Sequence, residues 1–299
     1  MKVDVIVLTN NSERTLKAAL DSVLREVDYN QVIVIDGGSK DKTLEIVSEY
    51  DVAKIIKNVK RVGLARYLGA KHATTEWICY VDSDIYLCNS WYEEVLRWVS
   101  KPKVMWIQGL TLEYSYIMPS YALSKTLKYV KYGCIALSNS LIRRQVVLSC
   151  NSLIKPEVNV GEDFLLYNHI KSLGGKVILE AKALSFHMPD AFLHDIYAYY
   201  RSGVSQREKD GVPKPWYLAM PLLLMREALM RYILVKDVRL FPYFTGLLGS
   251  AYLAGYLRVT RSLSNLVYKL ETLSKKTGYV FVNEVCETMR DLAGEAKEL

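Results

Sequence analysis

The sequence predicts an α/β fold, a mostly parallel central sheet flanked by helices, with apolar helices after it. Three observations carry this. Short, nearly continuous apolar runs recur at 3–8, 32–35, 53–56 and 78–81, the pattern of strands buried on both faces. Helical periodicity fills the stretches between them. Each of the stronger runs ends in a polar turn: Thr-Asn-Asn at 9–11, Asp-Gly-Gly-Ser at 36–39, Asp-Ser-Asp at 82–84. Strand–helix–strand alternation with short turns demands crossover connections, and these put helices on both faces of a sheet. Ligands of such sheets bind at the carboxyl ends of the strands, where Asp36, Asp82 and Asp84 fall.

Taken in order, VDVIVL at 3–8 is the first strand. Asn11 or Ser12 can cap the helix that follows, whose Leu16, Leu20, Val23 and Val27 recur every three or four residues. VIVI at 32–35 is the second strand, and a helix carrying Leu44, Ile46 and Val47 comes next. Residues 53–56 form the third strand, a helix opening at Gly63 carries Leu64, Leu68 and Ala70, and ICYV at 78–81 is the fourth strand. Beyond Asn89 the pattern predicts helices at 90–99, 119–132, 141–148 and 163–173, the last stopped by Gly174-Gly175. It predicts strands at 104–108, 177–179 and 184–187. Residues 1–205 are expected to form one domain and residues 206–299 a helical region. The polar stretch 200–215, with two glycines and two prolines, is expected to link them.

Two late segments are strongly apolar. Residues 216–235 are interrupted by Arg226, Glu227 and Arg231, and residues 240–257 hold no charge between Arg239 and Arg258. A spanning helix needs about 20 apolar residues. Pro242, three glycines and three tyrosines within the second segment suit an interface better. The sequence therefore favours two amphipathic helices lying on a membrane over a buried core helix or a span.

Charge supports that choice. The net charge is +7, yet residues 1–200 carry 24 Lys and Arg against 22 Asp and Glu, while residues 201–276 carry 13 against 5. A basic, apolar stretch without a nucleic-acid module points to anionic lipid rather than nucleic acid. The ordinary alternative is a solvated basic surface. Five cysteines without a C-x-x-C pair argue against a disulfide scaffold or thiolate zinc cluster. The opening MKVDVIVLTNNSE is too short in apolar residues for a signal peptide. The expected location is cytoplasmic, peripheral at the inner face of the cell membrane.

Chemistry concentrates in carboxylates. Asp82 and Asp84, two apart at a strand end, are placed to face one divalent cation, and hard oxygen donors favour Mg²⁺ or Mn²⁺. The alternative is two solvated loop acids. Glu162 and Asp163 follow Gly161 at a helix start, where the dipole is expected to keep a carboxylate ionised; the alternative is a pair of capping acids.

These motifs form an ordered series: Thr9-Asn-Asn, Val34-Ile-Asp-Gly-Gly-Ser-x-Asp-x-Thr43, Gly63-x-Ala-x-x-x-Gly69-Ala70, Tyr80-Val-Asp-Ser-Asp84, Gly161-Glu-Asp163 and Gly175-Lys-Val177. In this order they resemble the nucleotide-sugar glycosyltransferases of family 2, with the GT-A fold, over residues 2–205. The resemblance implies a Rossmann-like GT-A fold, a nucleotide-diphosphate-sugar donor, a divalent cation and inversion at the anomeric carbon. It places Thr9 and Asp36 at the nucleoside, Arg66 on the nucleotide's phosphates, and Asp82 near the ribose and metal. It makes Asp84 a direct metal ligand, His187 a third ligand, and Asp163 the general base beside Glu162. Position 37 is glycine where many relatives carry a second acid. The acceptor is expected to be lipid-linked or a glycan. A sugar-phosphate nucleotidyltransferase would need a glycine-rich basic loop after the first strand, and Thr9-Asn-Asn-Ser-Glu13 offers neither. The other class considered is a membrane adaptor whose front domain has lost catalysis.

Overall fold

The structure is a computed structural model of the 299-residue chain. It describes residues 1–113, 119–132, 136–155, 161–188, 194–212, 214–215 and 219–257. The chain divides into two compact units, Met1–Leu112 with Tyr132–Met188, and Glu113–Lys131 with Pro189–Leu299.

The first unit is built on eight strands: β1 (Val3–Thr9), β2 (Tyr29–Asp36), β3 (Lys54–Ile56), β4 (Trp77–Asp82), β5 (Ile85–Leu87), β6 (Val104–Leu112), β7 (Asn139–Arg143) and β8 (Lys176–His187). Their order in the sheet is β3-β2-β1-β4-β7-β6-β8-β5. The strands β1 to β4 are mutually parallel, as expected for crossovers through α1 (Leu16–Glu26), α2 (Thr43–Ser48) and α3 (Val62–His72). Beyond β4 the sheet is mixed, since β7 runs antiparallel to both β4 and β6. β6 and β8 are parallel and β5 closes the edge antiparallel to β8.

Strand alternation explains the unbroken apolar runs. Along β1, Val3, Val5 and Val7 enter one core with Leu16, Leu20 and Val23 of α1, while Ile6 enters the other with Ala65 and Ala70 of α3. Each face is covered, so the strand reads as a nearly continuous apolar run, broken only by Asp4 before its polar end, and Asp4 is buried on hydrogen bonds from Asn30 and Gln31. The first core continues to Trp91 and Val95 of α4 (Trp91–Leu96); the second takes Val146 and Val147 of α6 (Arg144–Ser149) and Leu166 and Ile170 of α7 (Glu162–Ser172).

Three expectations are corrected. Residues 141–148 are not one helix: strand β7 runs to Arg143 and α6 starts at Arg144. The two strands foreseen at 177–179 and 184–187 are one strand, β8, with a register shift against β6 between Gly109 and Leu110. Residues 200–210 are not a linker but the body of α8 (His194–Asp210). Asp210 takes the Tyr256 hydroxyl at 2.9 Å and the Lys214 ammonium at 2.9 Å, which ties this stretch into the second unit. The two compact units part near Met188, and residues 113–131 belong to the second one.

That second unit packs α5 (Pro119–Tyr132), α8, α9 (Met220–Val235) and the consecutive helical stretches Leu240–Pro242, Tyr243–Leu248 and Gly249–Tyr256. The middle stretch has π-type turns just after Pro242, where the missing proline N–H breaks the regular ladder. Its core is Tyr121, Leu224, Ala228, Leu240, Tyr243, Phe244 and Leu248. Among the described residues no helix is long and apolar enough to cross a membrane.

Candidate active site

The parallel strands β1, β2 and β4 end level with one another. Thr9 lies beside Asp36 and Leu8 beside Asp82 in the sheet register. The turn after β2 is organised by Asp36, whose carboxylate accepts from the Gly38 N–H at 2.9 Å, the Ser39 N–H at 3.1 Å and the Ser39 hydroxyl at 2.5 Å. Gly38 has φ +100, a left-handed conformation that side chains avoid, and this lets the backbone fold back onto the carboxylate. Asp36 is 1% exposed. Its turn role is thus certain from geometry, and any nucleoside contact would share the same oxygens. Thr9 is buried, and its Oγ1 has no hydrogen-bond partner among the described residues.

Arg66 does not stand exposed on its helix. It is 2% exposed and pairs with Asp82: Nη2 donates to Oδ2 at 3.1 Å, and Nη1 makes an ion-pair contact with Oδ1 at 2.7 Å. Its guanidinium lies 5.1 Å from the Tyr80 ring centre, and the Tyr80 hydroxyl donates to the Arg66 carbonyl. Burial alone would weaken this cation; the charges of Asp82, Glu162 and Asp163 outweigh burial and keep it protonated. The small residues Gly63, Ala65, Gly69 and Ala70 bracket Arg66 on the buried side of α3. That bracketing is the sequence signal that places Arg66 inward.

Asp82 and Asp84 part company. β4 ends at Asp82, so strand alternation no longer governs the residue two further on. Asp84 instead meets His187, with Nε2 3.2 Å from Oδ2, because β5 pairs with the end of β8 in the register Ile85 to His187. The Met188 N–H closes the pairing on the Asp84 carbonyl at 2.7 Å. The structure therefore joins Asp84 with His187, and Asp82 with Arg66. Among the described residues, no three His, Cys, Asp or Glu side chains gather closely enough to hold a metal ion. A carboxylate and an imidazole side by side are a donor pair suited to Mn²⁺. Two protein donors leave most of such a cation's shell to other oxygens.

Glu162 and Asp163 open α7. Asp163 accepts from the Leu137 N–H at 3.3 Å, and that segment is held by Gln108, which accepts from the Ala136 N–H at 2.9 Å. Gln108 is 1% exposed within β6; as a lone polar residue in VMWIQ it carried no signal in the sequence. The helix dipole favours an ionised Asp163, and burial works against it. Burial first, and then the charge of Glu162, raise its carboxyl to about 7, against the pull of Arg66. Burial raises Glu162 as well. Ser83, between the two aspartates, hydrogen-bonds Ser12 at 2.7 Å and ties the β4 turn to the loop after β1.

The resulting cluster holds one buried cation and three neighbouring carboxylates, with an Asp–His pair nearby in the chain's turn after β4. It can bind a nucleotide edge, hold a divalent ion jointly with phosphate, and take a proton near neutral pH. Residues 4–147 match the family described as glycosyl transferase family 2. The poly(ribitol-phosphate) β-N-acetylglucosaminyltransferase TarS of Staphylococcus aureus is 35% identical over 97 residues, which are 29% of this chain and 17% of that protein. Glycosyltransferase AglE of Haloferax volcanii is 24% identical over 205 residues, 65% of each chain. Among solved structures, the mannosyltransferase from Pyrobaculum calidifontis in complex with GDP-Man and Mn²⁺ aligns with a TM-score of 0.53 at 16% identity. That alignment covers 99% of this chain and 86% of that one.

Proposed function

We propose that the protein is a metal-dependent inverting glycosyltransferase, a reading supported by the match of residues 4–147 to glycosyl transferase family 2. It moves a sugar from a nucleotide-diphosphate donor to a hydroxyl or phosphate acceptor, lipid-linked or glycan, at a membrane face. The observation that carries the reading is the meeting of Arg66, Asp82, Glu162 and Asp163 in one buried charge cluster at the carboxyl edge of the sheet. The mannosyltransferase complex with GDP-Man and Mn²⁺, of like fold, supports the donor class and the metal.

The transfer is a single displacement. The acceptor oxygen bonds to the anomeric carbon from the face opposite the diphosphate, and the carbon–oxygen bond to the diphosphate breaks with its electron pair. Asp163 takes the acceptor's proton, which requires it unprotonated at the start. Glu162 beside it raises its basicity. Arg66 holds Asp82 in place for the nucleotide, and Thr9 and Asp36 border the nucleoside. Asp84 and His187 would hold a divalent cation together with diphosphate oxygens, which supplies charge neutralisation for the leaving group.

The test is a thermal shift with UDP, GDP and dTDP, each with and without Mn²⁺, on wild type and Asp84→Ala. A ligand at about 100 times its Kd stabilises by about 2.7 kcal/mol, a shift of a few degrees. A Mn²⁺-dependent shift for one nucleotide, lost in the variant, is expected. No shift with any of them on a folded sample would overturn the reading and favour a non-catalytic adaptor.

A further inference from the structure

Helix α9 is built inside out. A helix on the surface of a soluble body turns its apolar side chains inward and its charges outward. In α9 the outward stripe is Leu222, Met225, Leu229 and Ile233, spaced three and four apart, each about half to two-thirds exposed, with Leu223 on its flank. One of its three charges turns inward, while Glu227 is half-buried and Arg226 exposed. Arg231 is 7% exposed, its guanidinium 5.1 Å from the Tyr121 ring and 5.4 Å from the Phe244 ring, and it donates to the Ser124 hydroxyl at 3.2 Å. Glu227 takes the Lys128 ammonium at 3.2 Å. Burying a guanidinium while leaving a row of large aliphatic side chains outside is unfavourable in water on both counts. It is favourable only where the outside is itself apolar.

We propose that this face of α9 seats in the headgroup–acyl boundary of an anionic membrane. Charge selects that occupant. Arg226 within the stripe and Lys236 at the helix end are exposed, and neither makes an ion pair among the described residues. Residues 201–276 as a whole carry 13 basic against 5 acidic side chains. A second copy of the chain would set this cationic rim against its like, which repels, whereas anionic lipid meets it with opposite charge. The stripe from 222 to 233 runs about 17 Å along the helix, short of the roughly 30 Å of a hydrocarbon core. It therefore lies in the plane of the interface, with the long Arg226 and Lys236 side chains reaching to the phosphates. The inference rests on the membrane-facing part of the functional reading and gives it a surface.

The full-length protein is co-sedimented with phosphatidylcholine vesicles and with vesicles holding about 30% phosphatidylglycerol, anionic enough to attract a basic face. Wild type is expected to bind the anionic vesicles, and the triple variant Leu222→Gln, Leu229→Gln, Ile233→Gln to bind them at least tenfold more weakly. Arg226→Gln with Lys236→Gln should remove the preference for anionic lipid. As a check that needs no loss of structure, a tryptophan introduced by Ile233→Trp should be quenched by bromine-labelled acyl chains. Equal binding by wild type and the triple variant, or an unquenched tryptophan, overturns the proposal. So does a dimer in solution that the triple variant dissolves, since a second copy then covers the face. The nucleotide thermal shift on the same preparations reads the donor site separately: its loss with vesicle binding intact would fail the transferase reading and leave this one standing.

Discussion

At the N-terminus of α7 the helix dipole favours a negative charge, and burial beside Glu162 opposes it. For Asp163 the balance falls near 7, and two consequences follow with opposite uses. As a base for a hydroxyl acceptor it must be unprotonated, so kcat/KM should rise with pH through about 7 and level off above it. Asp163→Asn should lower the rate at least about 100-fold, the usual scale of general-base catalysis; an already ionised phosphate acceptor would make the loss small. In stability the sign reverses. The folded carboxyl is raised above its unfolded value, so the native state holds the extra proton between the two values and stability falls as pH rises across that window. Thermal melts of Asp163→Asn should therefore show a gain over wild type at pH 8 and none at pH 4. Asp4 is the mirror case. Burial pushes its carboxyl up, but hydrogen bonds from the Thr74 and Thr75 backbone and from Asn30 and Gln31 outweigh this and lower it. Its contribution is present above the unfolded value and lost as pH falls through the lowered one. Asp4→Asn should cost about 2–3 kcal/mol at pH 7 in urea unfolding, the scale of a buried charged hydrogen-bond set, and less at pH 3.

Among the elements, those whose apolar residues reach the core on both faces were readable, and β7, whose first half is polar, was not. β1, β2 and β4 announce themselves as apolar runs because each alternate residue meets a packed helix layer. β7 begins with Asn139 and Ser140, both fully buried, and passes into α6 with no glycine or proline between them. Its apolar half then merges with the helix and LIRRQVVL reads as one helical turn pattern. The polar start has a purpose in the packing: Asn139 donates to Ser185 at 2.6 Å and Ser140 accepts from the Trp106 indole at 2.8 Å. These contacts lie between strands far apart in sequence, and no local window contains them. Gly109 is part of the same crossing. A Cβ there would stand 2.3 Å from the Trp91 indole nitrogen and 2.5 Å from the Ala183 carbonyl. Gly109→Ala should destabilise the first unit by at least about 1–3 kcal/mol, the cost of overpacking, read as a fall in the urea midpoint at unchanged slope.

For the molecule as a whole, sequence order and site order differ. The carboxylates at the strand ends were legible because a parallel sheet must present those ends together. Their partners come from other elements: Arg66 reaches Asp82 from a helix, and His187, which the resemblance sets with Asp84 on one metal, reaches it from a strand 103 residues later. Of the five cysteines, Cys79, Cys88 and Cys150 lie among the described residues and are buried, and burial pushes the Cys88 thiol up to about 12 and those of Cys79 and Cys150 upward as well. These three should stay unreactive to a thiol-disulfide reagent in the native protein and react together when it unfolds. Such a reagent then reports opening of the first unit, and its rate should track denaturant sensitivity. The pairing of β5 with β8 also sets a schedule. A ribosome adding about 5–20 residues each second delivers Asp84 and then needs roughly 5–20 s more before His187 emerges. Over that interval the newborn chain adds β5, β6 and β7, but β5 waits without its partner strand, and the Asp–His pair is acquired only on the last strand. Chains cut short or stalled before that strand are therefore born without the pair, and the strand edge they leave is open to pairing with another chain.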